Sequence, residues 1–158
     1  MTGSARAAGP HRAGWGEDQL REYYAEFVVD YLREQSQFLH TGSYSSENRD
    51  IQAIADEVYH NDEYMRAYMM GLLASYAIFP HHHRQYRFFV DRFEPSLPND
   101  GACIEFGVGH GMFLAHLLKK QPGRRGYGYD LSNMALTIAR SVNWIEKIDP
   151  SRVTLGNA

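Results

Sequence analysis

A short apolar stretch that runs directly into a loop with three alternating glycines constrains the fold of this chain more than any other feature. The stretch covers residues 102–106, the glycines are Gly107, Gly109 and Gly111, and an apolar helical pattern begins at Met112. Glycine allows backbone angles that are closed to other residues, and it lets the main chain approach a ligand with no side chain in the way. The pattern therefore predicts a strand, a ligand-binding turn and a helix in succession.

The alternation of strands and helices continues to the end of the chain. After the first strand the sequence predicts a helix at 112–120, a strand at 126–129, a helix from Ser132 to Ile145 and a strand at 153–156. A strand, helix, strand, helix, strand order implies a parallel sheet with right-handed crossovers. We therefore predict an α/β fold in which a helical region precedes a parallel sheet.

Helical periodicity dominates the region before the sheet. Apolar residues recur at three- and four-residue steps over 18–40, 51–58 and 62–78, and a fourth helix is predicted over 81–93. The capping candidates ahead of the second and third helices are Asn48, Asp50, Asn61 and Asp62. Two prolines and an Asn-Asp-Gly turn predict a linker at 95–101. The predicted organisation is a mobile tail at 1–16, a helical region at 17–94, the linker, and a domain of alternating strands and helices at 102–158.

Composition excludes several classes of protein. The chain has 158 residues and 44% hydrophobic content, which is enough for a packed core, so a disordered or fibrous protein is excluded. A net charge of -3 with scattered basic residues argues against nucleic acid as a partner. One cysteine and the absence of a long apolar run predict a cytoplasmic protein with no membrane segment.

The glycine loop departs from the fingerprint of nicotinamide and flavin dinucleotide sites. That fingerprint requires glycine at the sixth place counted from Gly107, and Met112 occupies that place. An NAD-dependent oxidoreductase therefore remains only as the third alternative for this chain.

Two further segments follow the loop at an informative spacing. Asp130 and Leu131 end the second predicted strand, and Asn157 and Ala158 end the third. A carboxylate at the end of the second strand can accept hydrogen bonds from both ribose hydroxyls of a nucleoside. Together with Glu105 ahead of the glycine loop, these segments resemble motifs I to III of the class I S-adenosylmethionine-dependent methyltransferases over residues 102–158.

The resemblance implies a role for each matching residue. The glycine loop would hold the methionine part of S-adenosylmethionine, and Glu105 would support that region. Asp130 would bind the ribose, Leu131 would pack against adenine, and Asn157, next to Ala158, would accept a hydrogen bond from the adenine amino group. Many members have aspartate at the position of Asn157, but an amide carbonyl accepts the same bond. The plainer alternatives are a solvent-facing carboxylate for Glu105, a helix cap for Asp130, core packing for Leu131 and a turn residue for Asn157.

The helical region supplies the candidate catalytic residues. His82, His83 and Tyr86 are candidates, since imidazole titrates near neutral pH and the neighbouring aromatic residues could form a pocket wall. The alternative is an exposed helix start with a core-facing aromatic stripe. Consecutive histidines on a helix point in different directions, so His81, His82 and His83 do not predict a metal site.

The resemblance also implies that residues 102–158 form a partial Rossmann-like domain, with the first half of its parallel sheet. The helical region at 17–94 would then be a lid, substrate or dimerisation region, and a fourth strand should follow Ala158. We therefore expect the first strand to have an unpaired apolar edge. Three explanations are open for this ending, and we favour the first, an incomplete sequence. The others are an enzyme that a partner chain completes and a homodimer that exchanges elements. The predicted function is methyl transfer from S-adenosylmethionine to a small-molecule acceptor, and the alternative is a non-catalytic cofactor-binding subunit completed by a partner chain.

Overall fold

The computed structural model of the chain describes residues 16–47 and 49–158. A helical region comes first, and a region of alternating strands and helices follows it. Nearly all of the predicted tail, and the capping candidate Asn48, lie outside these residues. Within them, no helix is both long and apolar enough to cross a membrane.

The helical region opens with a long helix and two capped ones. Helix α1 spans Glu17–Thr41, α2 spans Ile51–Ile54 and continues as a π-helical turn over Ala55–Tyr59, and α3 spans Asp62–Ile78. The carboxylate of Asp50 accepts a hydrogen bond from the Gln52 amide at 2.8 Å, and the Asn61 side chain accepts one from the Tyr64 amide at 3.1 Å. Asp50 and Asn61 therefore act as the predicted caps.

The fourth helix is longer and less regular than predicted. Helix α4 spans Pro80–Phe88 and widens into a π-helical turn at Phe89–Phe93, and a short α5 follows at Glu94–Ser96. Proline is tolerated in the first helical turn because its missing amide hydrogen would have no partner there. The helical segment therefore begins one residue before the predicted start and runs to Ser96, beyond the predicted boundary at residue 94.

The three predicted strands form one parallel sheet in the order β1-β2-β3. Strand β1 spans Ala102–Phe106, β2 spans Arg125–Asp130 and β3 spans Val153–Asn157, with α6 at Met112–Lys120 and α7 at Asn133–Ile145 as the crossover helices. Pairing aligns Phe106 with Tyr129 and Asp130 with Asn157, so the carboxyl ends of the strands lie together. The predicted fold class is confirmed.

The helices α6 and α7 cover one face of this sheet. A core of Val108, Leu114, Leu118, Leu136 and Ile148 fills the space between them. The other face of β1 is exposed, with Ile104 at 61% and Phe106 at 78% of their full accessible areas. Since β1 is also an edge strand among the described residues, the predicted unpaired apolar edge is confirmed.

A methionine-rich contact joins the helical region to the sheet region. Met65, Met69 and Met70 of α3 are buried against Met134 and Ile138 of α7. Methionine is unbranched and adaptable, so it fills the irregular space between two helices of different regions. This contact sets the position of α3 above the glycine loop.

Gly71 lies where α3 packs closely against α1. A Cβ atom at Gly71 would lie 2.3 Å from the Phe27 Cβ and 3.0 Å from the Tyr23 carbonyl oxygen. Alanine normally stabilises a helix relative to glycine by about 1 kcal/mol. We expect Gly71→Ala instead to lower the free energy of unfolding by about 1–3 kcal/mol, because the helices must separate.

Urea unfolding with a common slope measures this change. Gly123→Ala is the matched control, since a Cβ atom there meets nothing within 4 Å. Equal or greater stability of Gly71→Ala relative to the unmodified chain would contradict the close approach of α1 and α3.

Candidate functional site

Asp130 lies at the carboxyl end of β2, where its carboxylate joins two loops. It is 8% exposed. Its Oδ2 accepts a hydrogen bond from the Gly109 amide at 2.8 Å, and its Oδ1 accepts one from the Ser132 amide at 2.9 Å. Ser132, not Asp130, supplies the cap of α7, because the Ser132 hydroxyl oxygen accepts from the Ala135 amide at 3.2 Å. A carboxylate offers about four acceptor positions, so Asp130 keeps two for a ligand.

The three glycines of the loop have three different surroundings, although all have positive φ. Gly107, with φ of 67°, has open space where a Cβ atom would lie. At Gly109 a Cβ atom would lie 3.3 Å from the Met69 sulfur, and at Gly111 it would lie 2.8 Å from the Ala139 Cβ. Gly107 therefore leaves the main chain open to a ligand, whereas Gly109 and Gly111 allow packing against α3 and α7.

A hollow of about 240 Å³ opens at this edge of the sheet. It is lined by Tyr59, Phe106, Gly107, Tyr129, Asp130, Leu131 and Ala158. Leu131 is 44% exposed, so its side chain is available to a ligand. Ligand pockets usually measure at least roughly 300 Å³, so the hollow suits part of a nucleotide-like molecule, such as its nucleoside end.

Asn157 ties the ends of β2 and β3 together. Its Nδ2 donates to the Leu131 carbonyl at 2.8 Å and to the Asp130 carbonyl at 3.2 Å. The Ala158 amide also donates to the Asp130 carbonyl, at 3.2 Å. The amide nitrogen of Asn157 is thereby occupied within the protein, and Oδ1 remains its acceptor atom. Aspartate at this position could not make either donation, which gives asparagine a structural reason.

Glu105 is separated from the other predicted cofactor residues. Its side chain lies on the face of β1 that packs toward α6, and it lines a cavity beneath the sheet that the hollow does not share. Burial raises the pKa of the Glu105 carboxyl to about 7, and the Leu114 backbone amide opposes that rise. Glu105 therefore does not line the hollow, and its role in supporting the cofactor region stays a prediction.

His110 is a buried residue of the site whose surroundings had no clear sequence signal. It is 4% exposed, and burial lowers its pKa to about 4. Its Nδ1 accepts a hydrogen bond from the Met112 amide at 3.2 Å, so the ring hydrogen is on Nε2. The ring of Tyr76 on α3 meets it edge to face at 5.6 Å between centroids. The glycine loop therefore holds an uncharged imidazole at neutral pH.

The three catalytic candidates do not line the hollow. His82 lies 2.6 Å from the Ser75 hydroxyl through Nδ1, and that hydroxyl donates to the Leu72 carbonyl at 2.5 Å. Nδ1 of His82 must therefore carry the hydrogen, and burial lowers the pKa of this imidazole. His83 is exposed.

Tyr86 belongs to a different cluster, between α4 and α6. Its hydroxyl lies 3.3 Å from Nδ1 of His116, whose Nε2 lies 3.3 Å from the Glu94 carboxylate. These contacts fasten the helical region to the sheet region. Among the residues that the structure describes, no group of three or more His, Cys, Asp or Glu side chains could hold a metal ion.

Comparison with known proteins supports the fold at low sequence similarity. No family model matches the chain, and no curated protein matches it. A solved structure described as an O-methyltransferase family protein from Burkholderia thailandensis is similar, with a TM-score of 0.52 and 16% sequence identity. The similarity covers 88% of this chain and 37% of that protein, so the chain spans little more than a third of its length. The similarity thus supports a fold that is part of a Rossmann-like α/β fold.

The raised pKa of Glu105 makes a prediction about stability. The pKa of the Glu105 carboxyl is about 7 in the folded chain, and its ordinary value is 4.5. The protonated carboxyl therefore contributes stability that is fully present below pH 4.5 and is lost as the pH rises to about 7. We expect Glu105→Gln to gain stability relative to the unmodified chain between pH 5 and 8, by up to about 3 kcal/mol.

Urea unfolding at several pH values measures that difference. His110 also makes the stability depend on pH, because its lowered pKa contributes stability that is lost as the pH falls from 6.5 toward about 4. Comparing the variants at each pH removes this contribution, since all of them retain His110. Glu26→Gln on the exposed face of α1 is the control for loss of one carboxylate. A stability difference that does not change with pH would show that Glu105 is not buried in the folded chain.

Proposed function

We propose that the hollow at the carboxyl edge of the sheet binds S-adenosylmethionine, and that the chain forms the cofactor-binding part of a methyltransferase. The observation that carries this proposal is the Asp130 carboxylate beside the open backbone at Gly107. The carboxylate is fixed by two amides and keeps acceptor positions for two hydroxyl groups. A Cβ atom at Gly107 would project into open space.

The residues around the hollow fit the nucleoside end of this cofactor. Asp130 would accept hydrogen bonds from the ribose hydroxyls, and the exposed side chain of Leu131 would pack against adenine. Oδ1 of Asn157 would accept from the adenine amino group, with Ala158 beside it. The backbone of Gly107 would meet the methionine part, followed by the loop through Gly109 and Gly111.

Methyl transfer requires alignment of the acceptor and exclusion of water more than it requires a catalytic side chain. The bound cofactor would supply an electrophilic methyl group on a positively charged sulfur. His110, with a pKa of about 4, adds no positive charge to the loop at neutral pH. The imidazole therefore would not repel the sulfonium ion.

We infer a small-molecule acceptor and a cytoplasmic location for the same protein. The net charge of -3 offers no concentrated basic surface for a nucleic acid partner. The description of the similar solved structure as an O-methyltransferase family protein supports an oxygen atom as the acceptor. His82, whose unprotonated Nε2 is available to accept a proton, is a better candidate than His83 or Tyr86 for a general base.

A second candidate is a cofactor-binding subunit that another polypeptide completes, either a partner chain or a second copy. The free edge of β1 and the exposed side chains of Ile104 and Phe106 favour it. An exposed apolar edge strand readily pairs with another chain. Both candidates require the same cofactor site, so one binding experiment tests that shared part.

Two glycine substitutions separate ligand binding from backbone strain. Gly107 and Gly101 both have positive φ and open space at the Cβ position, but only Gly107 lines the hollow. We expect Gly107→Ala and Gly101→Ala to lose similar stability, on the order of 1 kcal/mol. Only Gly107→Ala should weaken binding of S-adenosylmethionine and S-adenosylhomocysteine, by tenfold or more.

Isothermal titration calorimetry on the folded chain measures both affinities. Equal weakening by the two substitutions would assign the effect to stability and not to the hollow. Saturable binding of NAD in place of S-adenosylmethionine would favour the oxidoreductase alternative, and absence of both would contradict the proposed site.

A further inference from the structure

A cavity beside β1 takes no part in the proposed cofactor site. It measures about 450 Å³ and lies between β1, α6 and the end of the helical region. Its apolar wall is formed by Phe89, Phe93, Leu97, Phe113, Leu114 and Leu117. Pockets for small molecules commonly measure about 300–1,000 Å³ and combine apolar walls with a few polar groups. The volume and wall are therefore those of a ligand site.

The polar residues that line this cavity are Asp100, Cys103, Glu105 and Arg124, and they differ in burial and in hydrogen bonding. Arg124 is 2% exposed, its guanidinium donates to the Pro98 carbonyl, and its Nε is buried without a partner. Asp100 is exposed, and the Cys103 thiol donates to the Arg125 carbonyl at 3.6 Å. Glu105 forms no ion pair within 4.0 Å among the described residues. Glu105 is therefore the acceptor that remains for a ligand, and the Arg124 Nε is the remaining donor.

An unpaired carboxyl in an apolar cavity favours a particular kind of ligand. Burying an ion is costly unless a countercharge meets it, and Arg124 already contacts protein atoms. A hydroxyl group loses less on leaving water, and it can donate to either form of the Glu105 carboxyl. The raised pKa of Glu105 agrees with a cavity from which water is partly excluded. Three phenylalanine rings in the wall suit a flat, aromatic body.

We propose that this cavity binds a small, uncharged aromatic molecule whose hydroxyl group donates a hydrogen bond to Glu105. The site is separate from the hollow and goes beyond the proposed cofactor binding. It can be tested without any cofactor, so its failure and the failure of the cofactor site are distinguishable.

Three probes of one shape test the chemistry of the cavity. They are 2-naphthol, which carries a hydroxyl donor, 2-methoxynaphthalene, which has none, and 2-naphthoate, which is an anion. We expect 2-naphthol to bind about tenfold or more tighter than 2-methoxynaphthalene, because only it can donate to Glu105. Calorimetry and naphthol fluorescence with the folded chain measure the affinities.

Cys103 supplies an independent report of occupancy. It is the single cysteine of the sequence and it lines the cavity. The rate of its alkylation by N-ethylmaleimide should fall as 2-naphthol fills the cavity, with the same half-saturation as the calorimetric titration. Protection that increases with protein concentration in the absence of a probe would show that a second copy covers the cavity, and would overturn the proposal.

Two substitutions locate the site. Glu105→Leu should reduce the preference for 2-naphthol over 2-methoxynaphthalene to less than twofold while the apolar body still binds. Leu97→Trp should fill the cavity and abolish binding of both probes, whereas Leu39→Trp at a residue 80% exposed on α1 should not. Glu105→Met is the second variant if Glu105→Leu fails to fold, and it should also reduce the preference because its side chain has no oxygen to accept the hydrogen bond.

Three results would overturn the proposal. Equal affinity for 2-naphthol and 2-methoxynaphthalene would remove the role of Glu105. Tighter binding of 2-naphthoate would show that Arg124 and not Glu105 selects the ligand. No saturable binding of any probe by the folded chain would show that the cavity does not serve as a ligand site.

Discussion

The carboxylate of Asp130 is the interaction on which the arrangement of this sheet edge depends. Its two oxygens accept the Gly109 and Ser132 amides, so it joins the loop after β1 to the loop after β2. The Asp130 carbonyl accepts from Asn157 and Ala158 at the end of β3. One residue thus connects the carboxyl ends of all three strands. A carboxylate that binds two backbone amides is already oriented before any ligand arrives, which lowers the cost of ordering a binding site.

The helical region is fitted to the glycine loop and does not simply lie beside it. Met69 on α3 lies against Gly109, and the ring of Tyr76 packs on His110. A larger residue at position 109 would push α3 away, and a charged imidazole at position 110 would have to enter an apolar environment. The glycine loop therefore limits the position of α3, and α3 in turn covers the loop. This mutual packing gives the two regions one shared core around Met65, Met134 and Ile138.

Much of the fold could be predicted because its signals are local. The bounds of β1 and α6 agree with the predicted 102–106 and 112–120, and the Asp50 and Asn61 caps were visible as residue types ahead of apolar periodicity. The π-helical widening at Phe89 and the continuation of helix to Ser96 had no such signal, because they depend on packing against α6. The same limit applies to Glu105. Its place in a motif is local, but the face of β1 on which it lies depends on register and on the helix beneath. The burial of His110 likewise depends on Tyr76, which is distant in the sequence.

The different surroundings of the glycines leave one side of the proposed cofactor site open and close another. Met69 closes the loop on the side of the helices, whereas Gly107 is open and lies next to Phe106 and Tyr129 on the uncovered face of the sheet. A molecule can therefore arrive and depart across that face while α3 stays in place. Its exchange would require no displacement of α3, although Tyr59 of the helical region also lines the hollow. Any polypeptide that covers this face would consequently control the residence time of the ligand as well as its affinity.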